Sequence, residues 1–176
     1  MRRARLLPLL ALLLPAALGA QTLKGELTAS LDDAERKFVA LAESMPEERY
    51  GWRPAPGVRS IGEVYMHVVG ANLMIPRFAG VTLAPPVQLS RDAETAVTDK
   101  ATIVRLLHQA FGHAKAAVAS VPDDAMDTPV DLFGQKSTYR GVLLLLTTHA
   151  HEHLGQSIAY ARTVGVLPPW SAGGDR

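Results

Sequence analysis

The chemistry available to this sequence is concentrated in four histidines, three in Thr148-His-Ala-His-Glu-His-Leu-Gly-Gln156 and one closing Ser60-Ile-Gly-Glu-Val-Tyr-Met-His67. His149 and His153 are four residues apart, a spacing that on a helix sets both imidazoles on one face, one turn apart, where they can grip a single metal ion. His151 falls on another face, among polar neighbours, and reads as a solvated residue. On an earlier segment the stripe Val64, His67, Ala71, Met74 gives His67 an inward slot, which makes it the third ligand. Burying imidazoles side by side costs desolvation unless each finds a partner, and neutral imidazole is the commonest protein ligand for transition metals. Three nitrogen ligands leave at least one position open to water or substrate, as at catalytic zinc sites. Imidazole suits Zn, Ni, Cu or Fe(II), and the cofactor expected is one divalent transition metal ion, Zn, Ni or Fe.

Around this set, Glu63 lies one turn before His67 and is the candidate general base, with its place in an N-terminal capping box with Ser60 as the competing reading. Gln156, one turn after His153, can support that ring, and Trp52 and Tyr160 can line a pocket that the open position faces near Trp52 and Glu63. His108 and His113 have no partner at metal-ligand spacing. The run His149 to His153 is one residue short of H-x-H-x-D-H and lies inside a helical stripe, and Glu152 is followed at once by His153, so H-E-x-x-H is absent. With no cysteine among 176 residues, thiolate metal sites, disulfides and thiol nucleophiles drop out. Neither a glycine-rich phosphate loop nor a G-x-S-x-G elbow is present.

Four segments with helical periodicity must position these residues. Leu23, Leu27, Leu31, Ala34, Phe38, Leu41 and Met45 form one stripe at spacings of three and four. The Pro- and Gly-rich Tyr50 to Gly57 breaks the pattern, Ser60 caps a second helix from about Ile61 to Phe78, and Pro76 disturbs its last turn. Residues 80–98 read as a long crossover loop without firm structure. A third helix carries Ile103, Leu106, Leu107, Ala110, Ala114, Ala117 and Val121, and the fourth runs from Tyr139 to about Val164, with Gly165 as its C-cap. A short strand pair near Val130 to Thr138 is the sole hint of β-structure. The expected fold is therefore all-α, a four-helix bundle in one domain over residues 21–176.

Residues 1–20 read as a signal peptide: Arg2, Arg3 and Arg5 precede an apolar stretch from Leu6 to Leu18, with Ala17, Gly19 and Ala20 before Gln21. The stretch is interrupted by Pro8 and Pro15 and is too short to span a bilayer, so cleavage is expected, and no stable membrane anchor after it. Cleavage after Gly19 fits the small-x-small pattern best. Three of the 18 basic residues leave with this segment, so 15 face 17 acidic ones, a net charge of −2. A slightly acidic surface without a basic run argues against nucleic-acid partners.

The pattern of an inward histidine in the second helix, then H-x-x-x-H-x-G-Q in the last, then an aromatic, an arginine and G-x-x-P-P resembles the DinB family of metal-binding four-helix bundles. The residues that carry it are Met45-Pro-Glu-Glu-Arg-Tyr-Gly-Trp-Arg-Pro54, Ser60 to His67, His149 to Arg162, and Gly165-Val-Leu-Pro-Pro169. The resemblance implies metal binding at His67, His149 and His153, and homodimers are common in that family. Some related bundles are thiol-dependent transferases or isomerases, but their thiols are mainly cytosolic, so an export signal weakens that analogy. Two function classes stay open at this level. One is a metal-dependent enzyme, a hydrolase or thiol transferase, acting on a small molecule; the other is a non-catalytic exported protein that captures a metal or small ligand.

Overall fold

The computed structural model of the chain describes residues 22–171, and the signal-peptide reading of residues 1–20 lies outside them. Four long helices dominate: α1 (Leu23–Ser44), α2 (Ile61–Met74), and, after the single turn α3 (Ala93–Ala96), α4 (Lys100–Ser120) and α5 (Tyr139–Thr163). Each long helix starts where a hydroxyl or carboxylate can satisfy an otherwise orphaned amide. Thr22, Ser60, Asp99 and Thr138 accept from the backbone N–H three residues on. At Ser60 the bond is reciprocal, because the Glu63 carboxylate also accepts from the Ser60 N–H. The stripes of α1 and α4 are buried as their periodicity predicts, with Leu31, Phe38, Ile103, Leu107 and Ala114 fully inside. α2 stops at Met74, short of the expected Phe78, because Pro76 cannot donate to the helical ladder, and the chain continues as a 3-10 turn over Ile75–Ala79.

The helices do not pack in chain order. α1 lies against α4 and α5, and α2 lies against the same two, so α1 and α2 face each other across the diagonal. Lys100 at the start of α4 donates to the carbonyls of Glu43 and Met45 at the end of α1, while Lys24 at the start of α1 donates to Val121 O beyond α4, which makes this pair antiparallel. α2 and α5 are likewise antiparallel: Gly80, just past α2, abuts the Tyr139 ring at the start of α5, and Trp52, near the start of α2, meets Tyr160 near the end of α5. Gly80 has φ 69° and a side chain there would collide with Tyr139, so only glycine closes this corner. Diagonal connection of consecutive helices brings the middle of α2 beside the middle of α5.

Two departures from the expected all-α bundle matter for the site. The strand pair is real: β1 (Pro129–Leu132) pairs antiparallel with β2 (Gln135–Thr138), so the fold is mostly helical with one hairpin. Its loop, Phe133-Gly134, holds both residues at positive φ, 54° and 81°, as a two-residue type I′ turn requires. Asn or Asp normally fills the first of these positions, and a phenylalanine in the left-handed region is carried at a cost of about 1 kcal/mol or more. The 80–98 segment, read as loop, contains α3, whose Ala93 is buried and whose Glu94 points at α2. Four residues are too few for periodicity to reveal a helix.

Candidate metal centre

His67 on α2 and His149 and His153 on α5 come together, each offering a ring nitrogen within 4.8 Å of the others. The His67 and His149 Nε2 atoms are 3.1 Å apart, and ring centroids are separated by 5.0 Å (His67–His149), 4.7 Å (His67–His153) and 4.5 Å (His149–His153). His153 is buried, while His67 and His149 are half-buried at the edge of a cavity. On α5 the buried face is broad: Val142 and Leu146, in line with His149 and His153, are fully buried, and so are Leu143, Ala150 and Ala161 beside them. Gln156, Tyr160 and Val164 sit at its border.

Outer partners fix two of the three rings. A carboxylate can only accept, so His67 Nδ1–H donates to Glu94 Oε2 at 3.1 Å, and the lone pair of this ring is on Nε2. Glu94 is itself held by Arg59, whose Nε donates to Oε1 at 2.7 Å. His153 Nδ1–H donates to Gln156 Oε1 at 2.8 Å, and Gln156 Nε2 donates on to the Tyr160 hydroxyl at 2.9 Å. Tyr160 packs edge-on against Trp52, so this line of contacts buttresses His153 from behind. His149 has no such support: its Nδ1 is buried without a hydrogen-bond partner among the described residues.

Electrostatics favour the neutral form of two of the rings, His149 and His67. Burial lowers the His149 pKa to about 4, with further lowering from His153, His67 and Arg59. Burial, then the Arg59 charge, also lowers His67, against the opposing pull of Glu94. Partial burial disfavours the Glu94 carboxylate, but the hydrogen bonds from Arg59 and His67 outweigh it and leave its pKa below the usual value. Neutral imidazoles have no proton to surrender before ligating a metal. The donor set fits such an ion: two nitrogens at about 2.0–2.1 Å from a tetrahedral metal are separated by roughly 3.3 Å, close to the observed His67–His149 approach.

The other residues singled out in the sequence take different places. Glu63 does not touch His67. One of its oxygens accepts from the Ser60 N–H at 2.7 Å and the other from Arg53 at 2.8 Å, and these bonds lower its pKa despite the opposing effect of burial. The carboxylate on the His67 ring is Glu94, which sequence reasoning missed because it sits in the segment read as loop. The run Asp92-Ala-Glu-Thr-Ala96, rich in helix-compatible residues, was the available signal. His151 is exposed and its ring N–H donates to Thr147 O. His108 pairs with Glu35 at the surface, and His113 is buried in α4 away from the cluster.

The cavity beside the cluster has a volume of about 640 Å³ and is bordered by His67, His149 and Glu94 at one end. Its remaining wall comes from α2, the 80–92 segment, Leu145 and Phe133. Neither Trp52 nor Glu63, where the sequence placed the pocket, borders this cavity. Trp52 backs the Tyr160–Gln156–His153 line instead, and Glu63 borders a smaller recess of about 290 Å³.

Comparison with known proteins agrees with this architecture. The chain is 26% identical to YjoA of Bacillus subtilis (strain 168) over 129 residues, 71% of this chain and 80% of the relative. Its fold matches that of a DinB-like protein from Bacillus cereus ATCC 10987 with a TM-score of 0.71 at 23% identity, covering 85% and 97% of the two chains. It also matches YfiT from Bacillus subtilis, a probable metal-dependent hydrolase with an unusual four-helix bundle topology, with a TM-score of 0.64 at 18% identity over 81% and 88% of the chains. The model of the DinB superfamily matches residues 30–157, most of the described chain, and the protein belongs to that superfamily.

Proposed function

We propose that this is an exported metalloprotein that binds one divalent transition metal ion through His67, His149 and His153, and that it hydrolyses a small molecule held in the adjoining cavity. The observation that carries the reading is the convergence of three imidazoles from two helices, with the His67 and His153 rings oriented by Glu94 and Gln156. Two of these rings border the cavity, which gives an open coordination position access to a ligand. The likeness to YfiT is consistent with hydrolysis. A bound ion would supply Lewis acidity at that position.

The chain's own groups have separate tasks in this reading. Glu94 and Gln156 hold two rings in their ligating tautomers, and the Tyr160–Trp52 contact keeps Gln156 in place. Arg59 fixes Glu94 and presents positive charge beside the cluster, where a developing oxyanion would be favoured. Export rests on the n-region, apolar stretch and small residues of positions 1–20.

The test is an assay of the metal-loaded protein on a panel of carboxylic esters, amides and phosphate esters. Hydrolysis that vanishes with chelator and in His153→Ala, and returns with one equivalent of metal, is the expected result. Retained metal without turnover on any substrate would move the protein to the non-catalytic metal- or ligand-binding class.

A further inference from the structure

Away from the histidines the wall of the cavity is largely apolar, with Arg77, Gln88, Ser90 and Arg91 as its polar members. Leu73, Met74, Val87, Leu89, Phe133 and Leu145 line it, and the eight helical residues from His67 to Met74 give it a length of roughly 12 Å along α2. Two of these side chains are large and exposed, Met74 at 40% and Phe133 at 58%, so the apolar wall is open to a ligand from solvent. The backbone of Phe133 adds a second feature at the same residue. It occupies a left-handed position that Asn, Asp or Gly would fill without strain, and from there its ring packs on Phe78 at 4.8 Å and closes one side of the cavity. A strained residue at a ligand-facing wall points to use of its side chain there.

We propose that the ligand of this cavity is a small amphiphile with an unbranched acyl chain: its carboxylate or ester carbonyl lies at the histidine end and its chain runs along α2 to Phe133. A volume of about 640 Å³ is ample for a medium-length chain and lies within the range of small-molecule sites. The head-group half of this assignment rests on the three-histidine metal site, whereas the chain half rests on the cavity wall alone. A hydrolase with this site would cleave medium-chain acyl esters in preference to acetates.

Calorimetric binding of butanoate, hexanoate and octanoate to metal-free and metal-loaded protein separates the two halves. Affinity should rise about threefold to fourfold per methylene in both forms, because the gain comes from apolar burial, and the metal should raise all three affinities by a common factor. Phe133→Asn should lower octanoate affinity by roughly tenfold, leave butanoate nearly unchanged and leave the melting temperature within a few degrees, since the strain relieved offsets the lost stacking. Affinities independent of chain length, or an unaltered octanoate affinity in Phe133→Asn, would overturn the acyl-chain assignment even if the metal binds. A chain-length slope without any metal effect would leave that assignment standing and count against the metal site. Sedimentation analysis identifies the rival occupant: a dimer that Phe133→Asn converts to monomer, with octanoate affinity unaltered, would make this face a contact between copies of the chain and overturn the proposal.

Discussion

The carboxylate of Glu94 stands 3.1 Å from Nδ1 of His67, joining a one-turn helix to the long helix α2 across 27 residues of sequence. This contact sets which nitrogen of His67 faces His149 and His153. Removing such an outer partner typically weakens metal binding by about 10- to 100-fold. Glu94→Ala should show that loss in competition with a chromophoric chelator while the metal-free protein unfolds near the wild-type temperature. Undiminished affinity would mean that His67 is oriented by packing alone.

Glu63 is predicted to serve the start of α2 rather than the chemistry. Glu63→Gln should retain both metal and turnover. Ser60→Ala, which removes the other half of the capping box, should cost about 1 kcal/mol of stability by chemical denaturation. A Glu63→Gln protein that keeps its metal but loses turnover would restore this carboxylate as the base.

Acid should destabilise the metal-free protein through His149. Its folded pKa of about 4 lies below the ordinary 6.5, so the unfolded chain binds more protons between these values. Stability is therefore flat above about pH 6.5 and falls as pH drops from there toward about 4. His67, lowered in the same direction, adds to the slope. Denaturation midpoints at about pH 7.5 and 5 should differ less in His149→Ala than in the wild type. An identical slope in the variant would show that His149 is not held neutral by the fold.

These histidines were legible in the sequence because helical spacing alone relates His149 to His153 and the stripe through Val64 and Ala71 turns His67 inward. The long helices were legible for the same reason, and the cap of α2 followed from Ser60. Glu94 was not, since a four-residue helix has no periodicity and its meeting with His67 depends on how the 80–92 segment folds back over α2. The cavity was hidden for a related reason. Its wall combines α2, the 80–92 segment, the hairpin loop and α5, and the diagonal packing that unites them leaves no trace in any one stripe.

Export gives a further check outside the bundle. Intact mass of the protein recovered from the periplasm or medium should correspond to a chain beginning at Ala20 or Gln21. Recovery of the full-length chain from the cytoplasm would contradict the signal-peptide reading.

Chelation should lower the melting temperature. An ion bound by the folded state alone, present at about 100 times its dissociation constant, stabilises by about 2.7 kcal/mol. For a chain of this size that corresponds to a fall on the order of 5–10 °C when the ion is stripped. An unchanged transition would indicate that no metal is bound under those conditions.

The most direct test is elemental analysis of the mature protein purified from its native compartment without a histidine tag, beside the His149→Ala/His153→Ala double variant. Close to one equivalent of a transition metal is expected in the wild type and none in the variant. Absence of metal from both, with no uptake of added Zn or Ni, would contradict the metal site and leave three imidazoles gathered beside a cavity for another purpose.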